Sequence, residues 1–159
     1  MTTPGELSPG HFSMVVDDSP KGLEVDTHIV CIRVFMNDDR VTFLVPTDFW
    51  SLRQYARQWA QGIVRLMAGS QAVSCLIMQM PAPEEPDHVV LLELQRCMDT
   101  VFISERYVAV DRVPDDFGPA NLYGIVSKPS GDPSGERISL EVLTAFASGL
   151  ELGVTSADQ

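Results

Sequence analysis

The sequence predicts an α+β domain, a mainly antiparallel sheet packed against one long central helix, with a short helix near the C-terminus. Three observations lead there. A pair of β-rich runs joined by a polar turn comes first, a capped amphipathic helix follows, and a meander of β-like runs comes after it. The 159 residues, 45% of them apolar, can fill one sizeable core and leave little room for a second. A single domain is therefore expected over residues 11–152, with a flexible arm at 1–10 and a frayed tail at 153–159.

Pro4, Gly5, Ser8, Pro9 and Gly10 give the arm its loose composition. Residues 11–18 suit a first strand, and "THIVCIRVFM" over 27–36 is dense in Val, Ile and Phe. Asn37, Asp38, Asp39 and Arg40 form a polar turn, since Asn and Asp bond nearby backbone and tolerate left-handed geometry. Residues 41–45 run back as the hairpin partner, and Pro46 ends them. Ser51-Leu52-Arg53-Gln54 then fits a capping box, with Trp50 and Tyr55 placed to form a hydrophobic staple.

Leu52, Tyr55, Ala56, Trp59, Ile63, Leu66 and Met67 recur at spacings of three and four, which puts them on one helical face. Arg53, Arg57, Gln58, Gln61 and Arg65 fall mostly on the other. Gly69 stops the helix, so it should span residues 52–68. Three β-like runs come next, at 72–80, 88–96 and 100–110. The acidic loop "PAPEEPD" separates the first two and Met98-Asp99 turns between the last two. Residues 111–121 and 127–135 read as loop and linker. Residues 137–150 form a short strand leading into a helix through Leu140, Leu143, Ala147 and Leu150.

Charge and chemistry narrow the function. With 22 Asp and Glu against 11 Lys and Arg, the net charge is −11. That argues against sequence-independent binding of nucleic acid, which needs cations to displace phosphate counterions, and against a polybasic membrane patch. No apolar run is long enough to span a membrane, and the N-terminus lacks the basic and apolar regions of a signal peptide, so a cytoplasmic location is expected. Cys31, Cys75 and Cys97 each lie in an apolar stretch and read as buried, reduced thiols. No metal motif is present. His28 and Cys31 are three apart, which in a strand sends them to opposite faces. No nucleophile elbow, P-loop or dinucleotide fingerprint occurs, so no enzyme class or cofactor is nominated.

Carboxylates collect in turns and loops: Asp17 and Asp18, Asp38 and Asp39, Glu84 and Glu85 with Asp87, and Asp115 and Asp116. Arg53, Arg57 and Arg65 decorate the helix instead. A field of this kind steers and orients a basic partner. It also serves solubility.

The order of motifs resembles the immunity proteins of bacterial contact-dependent growth inhibition systems. The matching pieces are "FWSLRQYARQWAQGIVRL" (49–66), "SCLIMQM" (74–80), "TVFISERYV" (100–108) and "GERISLEVL" (135–143). The likeness covers roughly residues 41–146, and its most specific part is Phe49 and Trp50 with Tyr55, Gln58 and Trp59. The resemblance implies a protein that binds the C-terminal toxin domain of its cognate system, blocks the toxin's active site and catalyses nothing. Many such toxins are nucleases with basic clefts. The expected contact surface is then the set Asp38, Asp39, Glu84, Glu85, Asp87, Asp115 and Asp116. The competing expectations are a small enzyme or ligand-binding domain with a pocket between helix and sheet, Cys75 or His88 at its mouth, and an adaptor subunit whose acidity serves solubility alone.

Overall fold

The structure is a computed structural model that describes residues 10–17, 29–47, 50–80, 88–109, 123 and 135–157, with the side chains of all of these but Asp17 and residues 151–157. The predicted α+β architecture is present, its strands divided between two antiparallel sheets. Sheet A takes β1 (Phe12–Asp17), β2 (Ile29–Met36) and β3 (Asp39–Pro46) in that order. Sheet B takes β4 (Val73–Gln79), β5 (His88–Cys97), β6 (Thr100–Ala109) and β7 (Glu136–Ser139). Between the sheets in sequence lies α1 (Leu52–Val64), which tightens into a 3-10 turn at Arg65–Ala68. The final helix, α2, spans Leu140–Ala157, so its backbone passes the Gly153 boundary where the sequence places the start of the tail.

The turn chemistry explains the hairpins. Met36 pairs with Asp39, so the β2–β3 turn is only Asn37 and Asp38, and Asp39 and Arg40 already belong to β3. Asn37 takes a positive φ of 55°, which Asn tolerates better than most residues. Met98, first of the two residues between β5 and β6, has φ 57°. Gly135, just before β7, has φ 102°, and a Cβ there would strike the backbone of Ile103.

The capping box at the start of α1 is complete. Ser51 Oγ accepts from Gln54 N at 3.2 Å, and Gln54 Oε1 accepts from Ser51 N at 2.8 Å. Trp50 and Tyr55 meet edge to face with centroids 5.4 Å apart, as the staple predicts. Two side chains depart from the predicted helix faces. Met67, which the periodicity places on the apolar face, is 58% exposed, because the 3-10 turn winds by about 120° per residue and rotates it out of register. Gln58, which the periodicity places on the polar face, is buried. At the far end of α1, Arg96 Nη1 donates to Leu66 O at 2.7 Å and its Nε to Met98 O at 2.6 Å, which ties the helix end to the β5–β6 turn.

One apolar cluster joins both sheets and both helices, from Phe12 and Val34 through Tyr55, Trp59 and Ile63 to Leu92, Ile103 and Leu143. Phe12 of β1 meets Phe146 of α2 edge to face at 4.9 Å, which draws sheet A toward the C-terminal helix. No helix among the described residues is long and apolar enough to cross a membrane.

Candidate functional site

Of the seven carboxylates expected to form the contact surface, the structure places two. Asp38 sits in the β2–β3 turn and Asp39 at the start of β3, both exposed. Neither carboxylate makes a hydrogen bond or ion pair among the described residues, although the Asp39 backbone pairs with Met36. Glu84, Glu85, Asp87, Asp115 and Asp116 lie outside the described residues, as does His28.

The acidic turn is held in place by its neighbour. Asn37 N donates to His11 O at 2.8 Å, and Asn37 Oδ1 accepts from His11 N at 3.1 Å. Asn37 Nδ2 donates to Glu136 Oε2 at 2.9 Å and to Arg137 O at 3.2 Å. One amide thus clasps the sheet A hairpin, the chain entering β1 and the first residues of β7. A groove of about 580 Å³ opens beside it, lined by His11, Asn37, Asp38, Glu136 and Arg137 among others. Asp38 and Glu136 bring two carboxylates to its wall, and Arg137 one guanidinium. Sequence reasoning did not single out Asn37 or Glu136 as site residues. Asn at the head of "NDD" is a turn signal in itself, but no local pattern links it to a glutamate 99 positions away.

The groups that an enzyme reading would use are arranged differently. Burial pushes the Cys75 thiol up to about 12; Arg65 and Arg106 act to lower it and Glu93 to raise it, all less than burial does. A neutral, enclosed thiol is inert at physiological pH. Around it stand Tyr123, whose ring lies 3.9 Å beneath the Arg65 guanidinium, and the Glu93–Arg106 ion pair at 2.8 Å. Burial also raises the Tyr123 phenol, although its bond from Gln58 Nε2 opposes that shift. This cluster fastens Tyr123 and α1 to sheet B. His88 is half-buried with its ring 5.7 Å from that of Tyr107. Among the described residues no group of three or more His, Cys, Asp or Glu could hold a metal ion.

The three cysteines are free, and Cys31 and Cys75 are buried as predicted. Cys97 corrects the expectation, being exposed at the end of β5, where the chain turns away from the core. In the native protein a thiol reagent at neutral pH should therefore titrate one fast cysteine per chain. Cys97→Ser should abolish that phase, while Cys75 reacts only after denaturation.

The family model described as "CdiI N-terminal domain" matches residues 45–144. No curated protein matches the chain by sequence. Among solved structures, the chain is similar to one in the "CdiA-CT/CdiI toxin and immunity complex from Enterobacter cloacae", with a TM-score of 0.70 and 16% identity. The likeness covers 89% of this chain and 99% of that one; at such identity it is a likeness of fold.

Proposed function

This chain belongs to the CdiI N-terminal domain family, and from that premise we propose that it is an immunity protein that binds and neutralises a cognate toxin domain. The observation that carries the reading is the extent of the family match, residues 45–144, which takes in α1 and all of sheet B. The protein acts by occupying its partner and catalyses nothing. The buried, protonated Cys75 fits an inhibitor better than an enzyme built around that thiol. Its place of action is the cytoplasm, where a cognate toxin would otherwise act.

The finer reading concerns how it binds. The toxin is a nuclease with a basic cleft, and the acidic surface of this chain covers that cleft as a mimic of phosphate. Asp38, Asp39, Glu84, Glu85, Asp87, Asp115 and Asp116 supply the carboxylates. Support comes from the net charge of −11 and from Asp38 and Asp39, which stand exposed on a turn that Asn37 holds rigid. Preorganised charge raises association rates more than it raises affinity.

Reversing both turn carboxylates, Asp38→Lys with Asp39→Lys, should slow association with the toxin domain encoded beside this chain's gene by roughly tenfold at low salt. The salt dependence of the rate should flatten in the same variant, with unfolding unchanged because both residues are exposed. Stopped-flow mixing at two ionic strengths measures this. An unaltered rate removes the turn from the interface, and the parallel reversal of Glu84, Glu85 and Asp87 tests the second loop. Co-expression tests the reading as a whole: cells carrying the adjacent toxin should survive only when this chain is present.

A further inference from the structure

The two edges of sheet B are finished in different ways. At the β4 edge, side chains from α1 take the place of a missing strand. Gln58 Oε1 accepts from Ile77 N at 2.6 Å, Gln58 Nε2 donates to Cys75 O at 2.9 Å, and Trp59 Nε1 donates to Ile77 O at 2.7 Å. Farther along, Tyr55 Oη accepts from Met80 N at 3.1 Å. At the opposite edge, β7 pairs only with Thr100–Ile103 of β6. From Ser104 to Ala109, among the described residues, β6 has β5 on one side and no strand on the other.

The register shows which backbone groups that leaves bare. Cys97 and Thr100 close a two-residue turn, so they form a hydrogen-bonded pair, and such pairs then alternate along the hairpin. Thr100, Phe102, Ser104, Arg106 and Val108 turn their N–H and C=O groups to β5. Val101 and Ile103 face β7, and Glu105, Tyr107 and Ala109 face outward. Their side chains strengthen the case. Tyr107 is 65% exposed, and its hydroxyl donates to Glu105 Oε1 at 2.7 Å, which fixes the ring beside His88. Arg106, on the other face of the sheet, is committed to Glu93. The outward stretch therefore presents one held aromatic ring, one carboxylate and three peptide groups that no strand among the described residues pairs, spaced about 6.6 Å apart, the repeat of an extended chain.

We propose that the Glu105, Tyr107 and Ala109 edge of β6 receives an extended segment of the toxin, which adds to sheet B as a further strand. The backbone groups supply the pairing, Tyr107 packs against an apolar side chain of the incoming strand, and Glu105 sits opposite a Lys or Arg. The occupant is a basic segment because the Glu105 carboxylate, which accepts from Tyr107, is paired with no cation among the described residues, and the chain as a whole carries −11. This inference rests on the immunity reading and adds to it a place and a mode of contact. A bare edge otherwise invites aggregation, and it persists usefully where a partner strand covers it.

Amide hydrogen exchange, read residue by residue on the free chain and on its complex with the adjacent toxin domain, tests the proposal. In the free chain the amides of Glu105, Tyr107 and Ala109 should exchange fast while those of Ser104, Arg106 and Val108 are protected. In the complex the first three should slow by ~100-fold or more. Tyr107→Ala should weaken binding by about tenfold or more with an unchanged unfolding midpoint. A complex that forms with these amides still exchanging fast overturns the proposal and leaves the immunity reading standing. Protection that appears without toxin as chain concentration rises also overturns it, in favour of a second copy. If no complex forms at all, the immunity reading fails and the strand proposal with it.

Discussion

Gln58→Leu should lower the free energy of unfolding by about 3–5 kcal/mol, enough to bring an ordinary domain close to its folding limit. Leucine matches the volume and suits the helix, so the loss comes from polar groups left behind. Ile77 N would lose its acceptor, and Cys75 O and the Tyr123 hydroxyl their shared donor, all in a region that water does not reach. Each abandoned group costs about 1–3 kcal/mol. Ile77 O keeps its bond from Trp59, so the loss is confined to those three groups. Gln58→Glu makes a useful companion. Its carboxyl would be buried beside Cys75 O, so its folded pKa should rise above the unfolded value. Stability should then fall as pH rises from the unfolded pKa through the folded one, and recover in acid, where a protonated carboxyl can again donate. Urea unfolding followed by tryptophan fluorescence measures both variants. A loss below 1 kcal/mol for Gln58→Leu would mean that water replaces the amide.

Gln58 also shows where reading a sequence stops. Helical periodicity recognises a buried face by its apolar side chains, so it found Tyr55, Ala56, Trp59 and Ile63 and assigned the amide between them to solvent. The amide is buried because a sheet edge needs a donor and an acceptor, and that need arises only once β4 lies beside α1. Met67 failed for a related reason: tightening to a 3-10 turn changes the period, and residue type does not announce it. Local chemistry was more legible. The Ser-x-x-Gln box, the Trp50 staple and the Met98-Asp99 turn depend on residues within five positions of one another, and the structure contains all three. The division of the strands into two sheets was not legible, since hairpins specify neighbours and not the break between β3 and β4. The same limit applies to the partner surface. Charge placed carboxylates in turns, and Asp38 and Asp39 do lie at one, whereas the half of β6 proposed to receive a strand, unpaired on that side among the described residues, emerges only from the shortness of β7.

Gly62→Ala should cost about 3 kcal/mol or more, although alanine favours helix and the position has ordinary helical geometry. The added methyl would overlap Cys75 O, a backbone atom of β4 that cannot swing aside as a side chain would. Relief requires α1 to withdraw from β4. That withdrawal stretches every bond across the seam: both bonds from Gln58 to β4, the Trp59 bond to Ile77, and the 2.6 Å bond from Ser74 Oγ to Gly62 O. Since Gly62→Ala acts by breaking the contacts that Gln58→Leu removes, the two losses should overlap, and the double variant should lose clearly less than their sum. Full additivity would mean that the helix bends locally at Gly62 and that the Gln58 bonds survive. A seam loosened in this way should also release Tyr123, which Gln58 and Arg65 hold from the α1 side, so the tyrosine hydroxyl should titrate nearer its ordinary value in Gly62→Ala than in the parent. The outward amides of β6 lie two strands from β4, on the side of β6 away from this seam. Their exchange should be unaffected under native conditions, which separates damage to the α1–β4 edge from any change at the opposite edge of the sheet.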